Sequence, residues 1–230
     1  MKTKEEESRL ANITYNMIRK SEEVNAYLER GNATLGVLGY TDHSAVHTAK
    51  VAVMAGKLLE RLDYDDHTVE LAKIAGYMHD IGNCVNREDH AHSGALLASR
   101  ILTEMGMDYK DVALVMNAIG MHDEHTGVAV DPISAALILA DKTDVRRNRV
   151  RNTNQASFDK HDRVNYAVIS AALNIQKEKK VIKLELKLDE SICSMMDYFE
   201  IFLQRMLMCR RAASVLGMTF KLSANGNKIC

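Results

Sequence analysis

The dipeptide His79-Asp80, in the string AGYMHDIGN, sets an imidazole and a carboxylate side by side. His47 stands 32 residues before His79, and Asp141 stands 61 residues after Asp80. Nitrogen and oxygen donors drawn from separate segments suit a divalent transition metal, and a shell left partly open to water can activate that water as a nucleophile. More imidazoles are placed to join such a centre: His43 four before His47, His90 and His92 in EDHAHSGA, and His122 and His125 in IGMHDEHTG. The spacing of His43 and His47 lets both face one side of a helix. Asp141 closes the apolar run ALILAD, which puts its carboxylate at the edge of the core. Burial without a partner is costly there, and a cation removes that cost.

The elements that must bring these donors together read as helices. Residues 4 to 30 have Leu10, Ile13, Met17 and Val24 near helical spacing, with Gly31 as a stop and GNATLGVLGY as a loop. Thr41 or Asp42 caps a helix through HSAVHTAKVAVMAGKLLERL, and Asp65 or Asp66 caps one over 67–79 that ends at Gly82 and Asn83. Further helices are expected over 91–105 and 109–121, and from Asp131-Pro132 to about 145. The polar string RVRNTNQASFDKHDR reads as a linker or an active-site loop. Beyond it, YAVISAALNI and the alternating KKVIKLELKL suggest a hairpin across Gln176 to Lys179, with a helix as the alternative for the first, Ala-rich run. A long helix over 191–217 and a terminal hairpin at Asn225-Gly226 follow. The expected fold is therefore mainly α: a helical bundle over 1–150 with a small α+β appendage over 151–230.

Composition narrows the function. The 230 residues are 47% apolar and 27% charged, with one proline and a formal net charge of −1. That balance predicts a folded globular chain with no global field for nucleic acid or an anionic membrane. MKTKEEESRL has no apolar core, so no secretory signal is expected, and no run is long enough to span a membrane. Cys84, Cys193, Cys209 and Cys230 show no paired spacing, which predicts reduced thiols in a cytoplasmic protein.

HTAKVA, MHDIG, DHAHSGA, the His122 segment and LADKTDVRR together resemble the HD-domain superfamily of metal-dependent phosphohydrolases over about residues 40 to 150. The resemblance implies that His47, His79, Asp80 and Asp141 hold one metal. It implies that His90 and His122 extend the set toward a second, with Asp80 bridging the two as the catalytic carboxylate. His92 is the alternative to His90 at that position. The pattern is similar to the two-metal branch that acts on nucleotides and cyclic dinucleotides, without the paired histidines and glycine-proline signature of the latter enzymes.

One or two manganese, iron, zinc or nickel ions suit histidine-rich ligation better than magnesium does. Cations so held clamp a phosphoester and acidify water for in-line attack. Lys50, Arg87, Arg146 and Arg147 are the basic residues nearest the ligands in sequence, and they are the candidates for holding substrate phosphates. His43 is expected to cap or hydrogen-bond beside the site. His125, and the second pair His161-Asp162, are expected on loops or against substrate, and His67 on the surface. The expected reaction is hydrolysis of a phosphomonoester or phosphodiester, with a small nucleotide-type substrate, no membrane partner, nucleic acid disfavoured and a homodimer as an open expectation. Two rivals use the same residues: a di-iron oxygenase, and a non-catalytic regulatory protein that binds metal or nucleotide.

Overall fold

The computed structural model describes residues 12–230, so the part of the predicted first helix before residue 12 lies outside the described residues. The rest of that segment forms two helices, α1 (Tyr15–Lys20) and α2 (Glu22–Val37). The break falls at Ser21, whose extended backbone and hydroxyl, accepting from Val24 N, start α2 afresh. Contrary to the expected stop, α2 runs straight through Gly31. This glycine serves close approach: a Cβ there would lie 3.0 Å from Cys84 N and 3.1 Å from Asn83 C, in the turn that follows His79-Asp80. Most of GNATLGVLGY is thus helical, and the loop is confined to residues 38–44.

Helix α3 (Ala45–Arg61) is capped by Ser44 and not by Thr41 or Asp42; Asp42 instead accepts from the Ser44 hydroxyl at 2.7 Å. Helix α4 (Asp66–Met78) is capped by Asp65, which accepts from Thr68 N. Its last turn delivers His79 and Asp80, and a short 3-10 turn, Ile81–Cys84, reverses the chain. Helices α5 (His90–Glu104) and α6 (Tyr109–Gly120) form a packed pair. Helix α7 (Pro132–Lys142) opens on an Asp131/Ser134 capping box with proline in its first turn. It ends three residues short of the expected boundary, so Asp144 stands just beyond it.

Helix α7 is apolar on nearly every side, with Ile133 to Ala140 all buried, because it packs against α3, α4, α6 and α9. Each leucine or isoleucine so buried contributes about 1.5–3 kcal/mol. The polar string after residue 149 holds one short 3-10 turn, Gln155–Ser157, before Asp159 caps helix α8 (Lys160–Ala167); His161 and Asp162 therefore sit in a first helical turn and not in a loop.

The predicted hairpin forms as β1 (Val168–Gln176) and β2 (Val181–Leu188), antiparallel, with Lys180 in the left-handed region at the turn. The long helix, α9 (Met195–Val215), then crosses over to β3 (Thr219–Ala224), which pairs parallel with β2. Asn225 and Gly226, both with positive φ, turn the chain into the short β4 (Asn227–Lys228). The two hairpins thus belong to one sheet of order β1-β2-β3-β4. The protein is mainly α with a small α+β C-terminal part, and one apolar cluster extends from Ile13 to Ala224 across both.

Candidate metal centre

Four histidines present their Nε2 atoms to one buried region because each Nδ1 is held from behind. His47, in the first turn of α3, donates Nδ1–H to Asp144 Oδ2 at 2.8 Å. His79, at the end of α4, donates to Gly76 O at 2.8 Å, and His122, just past α6, to Ile119 O at 2.6 Å. His90, opening α5, donates to Arg87 O at 3.1 Å. Carbonyls and carboxylates only accept, so each Nδ1 carries a proton and Nε2 is the ring atom left to face inward, the arrangement of metal-ligating histidines.

The inward atoms crowd together. His47 Nε2 lies 3.3 Å from Asp141 Oδ1 and 3.8 Å from Asp80 Oδ2. His79 Nε2 lies 3.2 Å from Asp80 Oδ2 and 3.6 Å from Asp141 Oδ1. His90 Nε2 is 3.8 Å from Asp80 Oδ1 and 3.2 Å from His122 Nε2. His47 Nε2, His79 Nε2 and Asp80 Oδ2 are buried and make no well-formed hydrogen bond within the protein. Buried polar atoms normally have partners, so three orphans at one point call for a missing one. Ligands bound at about 2.0–2.2 Å around a tetrahedral cation lie roughly 3.3–3.6 Å from one another, close to the separations seen here. The residues fit a cation.

Electrostatics agree. Burial works against a charged His79, but the Asp80 and Asp141 carboxylates outweigh it and hold the imidazolium well above its usual range. Burial likewise opposes ionisation of Asp141, and the Lys142 ammonium beside it prevails, keeping the carboxylate charged. His122 is driven far down by burial and by Lys142, so it stays neutral and able to ligate. The pocket is built to hold positive charge, as a proton on His79 or as a metal.

The centre opens into a cleft of about 950 Å³. Arg87 lines it, donating Nη1–H to His90 Nε2 at 3.3 Å, a bond that His90 must exchange in order to ligate. The other three basic candidates are turned elsewhere and do not line the cleft. Lys50 is half-exposed against Asp144, Arg146 makes a fork to both Asp144 oxygens, and Arg147 bonds Tyr166 O and Asp189. The cause is common: Asp144 and Asp189 carboxylates draw these cations to the outer side of the loop after α7.

His92 points outward to Asp89 and is 55% exposed, so His90 is the one that reaches the centre. His43, His125 and His161 line the cleft, and His43 Nδ1 is tied to Thr41 O at 2.7 Å. His67 is exposed and pairs with Asp111.

Sequence reasoning missed Asp144, which orients His47. Its signal is the three-residue step from Asp141, which on the expected helix to about 145 sets the two at neighbouring positions. It also missed Arg149, which lines the cleft and bonds Asp42 O and Asp144 O, and a charged set formed by the buried Lys142 with the partly buried Glu124 and Arg205. For Lys142 the signal is a lysine two residues past the apolar run ISAALILA; for Arg205, 81 residues from Glu124, no local signal exists.

Residues 45–149 match the model of the family described as HD domain. Among curated proteins, the chain is similar to an uncharacterized protein of Methanocaldococcus jannaschii, 31% identical over 163 residues, covering 60% of this chain and 62% of that protein. It is similar to a ribonuclease Y of Pediococcus pentosaceus, 38% identical over 97 residues, covering 41% of this chain and 16% of that one. The matched part is therefore less than two thirds of either relative. A solved structure described as a predicted HD superfamily hydrolase, from an uncultured Thermotogales bacterium, is 29% identical, with 54% of this chain and 67% of that chain covered and a TM-score of 0.43.

Proposed function

We propose that this protein, whose residues 45–149 match the HD-domain model, is a metal-dependent phosphohydrolase acting on a phosphomonoester or phosphodiester of nucleotide type. The observation that carries the reading is the convergence of His47 Nε2, His79 Nε2 and Asp80 Oδ2 as unpartnered buried donors beside Asp141. His47, His79, Asp80 and Asp141 would hold one divalent transition metal. The two Asp80 oxygens face different halves of the centre, Oδ2 toward His79 and Oδ1 toward His90, which suits a carboxylate bridging to a second ion held by His90 and His122. Bound there, such cations polarise a phosphoryl oxygen and acidify a water molecule.

The chain's own groups do the rest. Asn83 Nδ2 donates to Asp80 Oδ1 at 2.9 Å and fixes the tilt of that carboxylate. Arg87 is the lining guanidinium within hydrogen-bond reach of a ligand imidazole, so a phosphate at the centre would meet it first and receive a charge-assisted bond. The cleft is far larger than a phosphate group, which leaves room for a leaving group of nucleoside size. Its lining mixes the acidic Glu88, Asp89, Asp123, Asp159 and Asp162 with the basic Arg87, Lys142, Arg149 and Arg205, so the described cleft residues form no continuous basic track for a long polyanion. That favours a small substrate over a nucleic-acid strand, while the name of the ribonuclease Y relatives supports phosphodiester chemistry. No described helix is long and apolar enough to cross a membrane. Four unpaired cysteines support a place in the reducing cytoplasm.

The test is to strip the protein of metal, reload it singly with Mn²⁺, Fe²⁺, Zn²⁺ or Ni²⁺, and screen nucleotide mono- and diesters for phosphate ester cleavage. Turnover with at least one ion is expected. Oxygen uptake with iron and no ester cleavage would identify the oxygenase instead. Stoichiometric metal without any turnover would identify a binding protein.

A further inference from the structure

The HD-domain match ends at residue 149, yet α9 places Phe202 and Arg205 on the cleft. From that helix a file of alternating charges leads inward. Arg205 lies over the Phe202 ring, 4.6 Å from its centroid, and donates Nε–H to Glu124 Oε1 at 2.8 Å. Glu124 Oε2 is 2.8 Å from Lys142 Nζ, and Lys142 Nζ is 2.9 Å from Asp141 Oδ2. The opposite oxygen, Asp141 Oδ1, is the one facing His47 and His79. Lys142, Glu124 and Asp141 are at most 12% exposed, so water does little to screen or replace these contacts.

The order of charges matters. A buried ammonium between two carboxylates moves toward whichever is less compensated. With Arg205 on Glu124, that carboxylate is shared between two cations, and Lys142 remains on Asp141. Without Arg205, Glu124 would draw Lys142 away, and Asp141 would be free to turn its second oxygen.

We propose that Arg205 and Glu124 are positioning residues that act through Lys142 to fix Asp141 with one oxygen toward the metal centre. Cation binding then depends on a helix outside the matched domain, which gives residues beyond 150 a defined part in the site. The inference rests on the metal-binding reading above and not on any substrate.

The experiment titrates the metal-free full chain with Mn²⁺ against a chelator and records the visible absorption of its Co²⁺ form. Arg205→Met should weaken Mn²⁺ by about 10- to 100-fold, the usual effect of losing a group that orients a ligand, and should alter the Co²⁺ bands. Arg205→Lys should recover part of the loss. Glu124→Gln should weaken binding similarly, and the double variant should be no worse than the poorer single one, because both act on one file. Met208→Ala, buried on the same helix, should lower the melting temperature and leave Mn²⁺ affinity unchanged.

A folded Arg205→Met protein with wild-type affinity and Co²⁺ spectrum would overturn the proposal, and so would an equal loss of affinity in Met208→Ala. Should Arg205→Met fail to fold, Glu124→Gln decides by the same two readouts. If the wild-type chain binds no cation, the metal reading itself falls. If the wild type binds and the variants are unchanged, only this inference does.

Discussion

Gly82→Ala tests how the metal centre is assembled. Gly82 lies in the 3-10 turn after His79-Asp80, under the first turn of α5. A Cβ at this position would lie 2.0 Å from the His90 carbonyl oxygen, 2.5 Å from Gly94 N and 2.6 Å from Ser93 Oγ. Two of those atoms are backbone, so no rotamer change relieves the clash. Ordinary contact begins at 3.4 Å, so the start of α5 must retreat by 3.4 − 2.0 = 1.4 Å from the His90 carbonyl alone. Overpacking of this kind costs about 1–3 kcal/mol. For a chain of this length each kcal/mol lowers the melting temperature by roughly 2–4 °C, so a drop of about 2–12 °C is expected.

The functional effect should exceed the thermal one. His90 rides on the displaced turn, whereas His47, His79 and Asp141 sit on α3, α4 and α7. On the proposed two-cation reading, the variant should therefore retain the cation assigned to those residues and lose the one assigned to His90, and a misplacement near 1 Å costs turnover on the order of 100-fold. Calorimetry, metal content per chain and phosphate ester cleavage read the three effects. A Gly82→Ala protein with wild-type melting, metal content and turnover would refute the reasoning.

Three further outcomes follow from the same geometry. Asp80→Ala removes the carboxylate shared by both halves of the centre, and turnover should fall at least about a thousandfold, equivalent to ~4 kcal/mol of barrier, while gel filtration and circular dichroism stay unchanged; a tenfold effect or less would argue against a bridging role. Metal affinity should weaken as pH falls: Asp80 and Asp141 keep a proton on His79 through the neutral range, and an incoming cation must displace it, so binding should tighten up to tenfold per pH unit between about pH 6 and 8. A dissociation constant flat over that range contradicts this. Asp131→Ala breaks the capping box of α7 and should cost about 1 kcal/mol in denaturant unfolding, with metal affinity retained; an unchanged unfolding midpoint would show that the cap contributes nothing.

The candidate ligands are legible in the sequence because each stands where a helix begins or ends. His47 follows the cap of α3, His79-Asp80 closes α4, His90 opens α5, His122 follows α6 and Asp141 nears the end of α7. Local rules set those boundaries, and the Asn225-Gly226 turn and the alternation from Val181 to Leu188 are equally local. The remaining features are fixed by partners distant in the chain. Gly31 reads as a stop until the turn at Asn83 and Cys84 is known to press against it. Asp144 takes up Lys50 because His47, 97 residues away, brings α3 alongside it. The parallel pairing of β2 with β3 depends on α9 crossing over the sheet, and neither strand's own pattern announces it.

The most direct measurement is anomalous diffraction from crystals of the full chain grown with Mn²⁺. A peak is predicted at bonding distance from His47 Nε2, His79 Nε2 and the carboxylates of Asp80 and Asp141, with a second beside His90 and His122. Density for manganese elsewhere on the protein, with those imidazoles still unligated, would contradict the account.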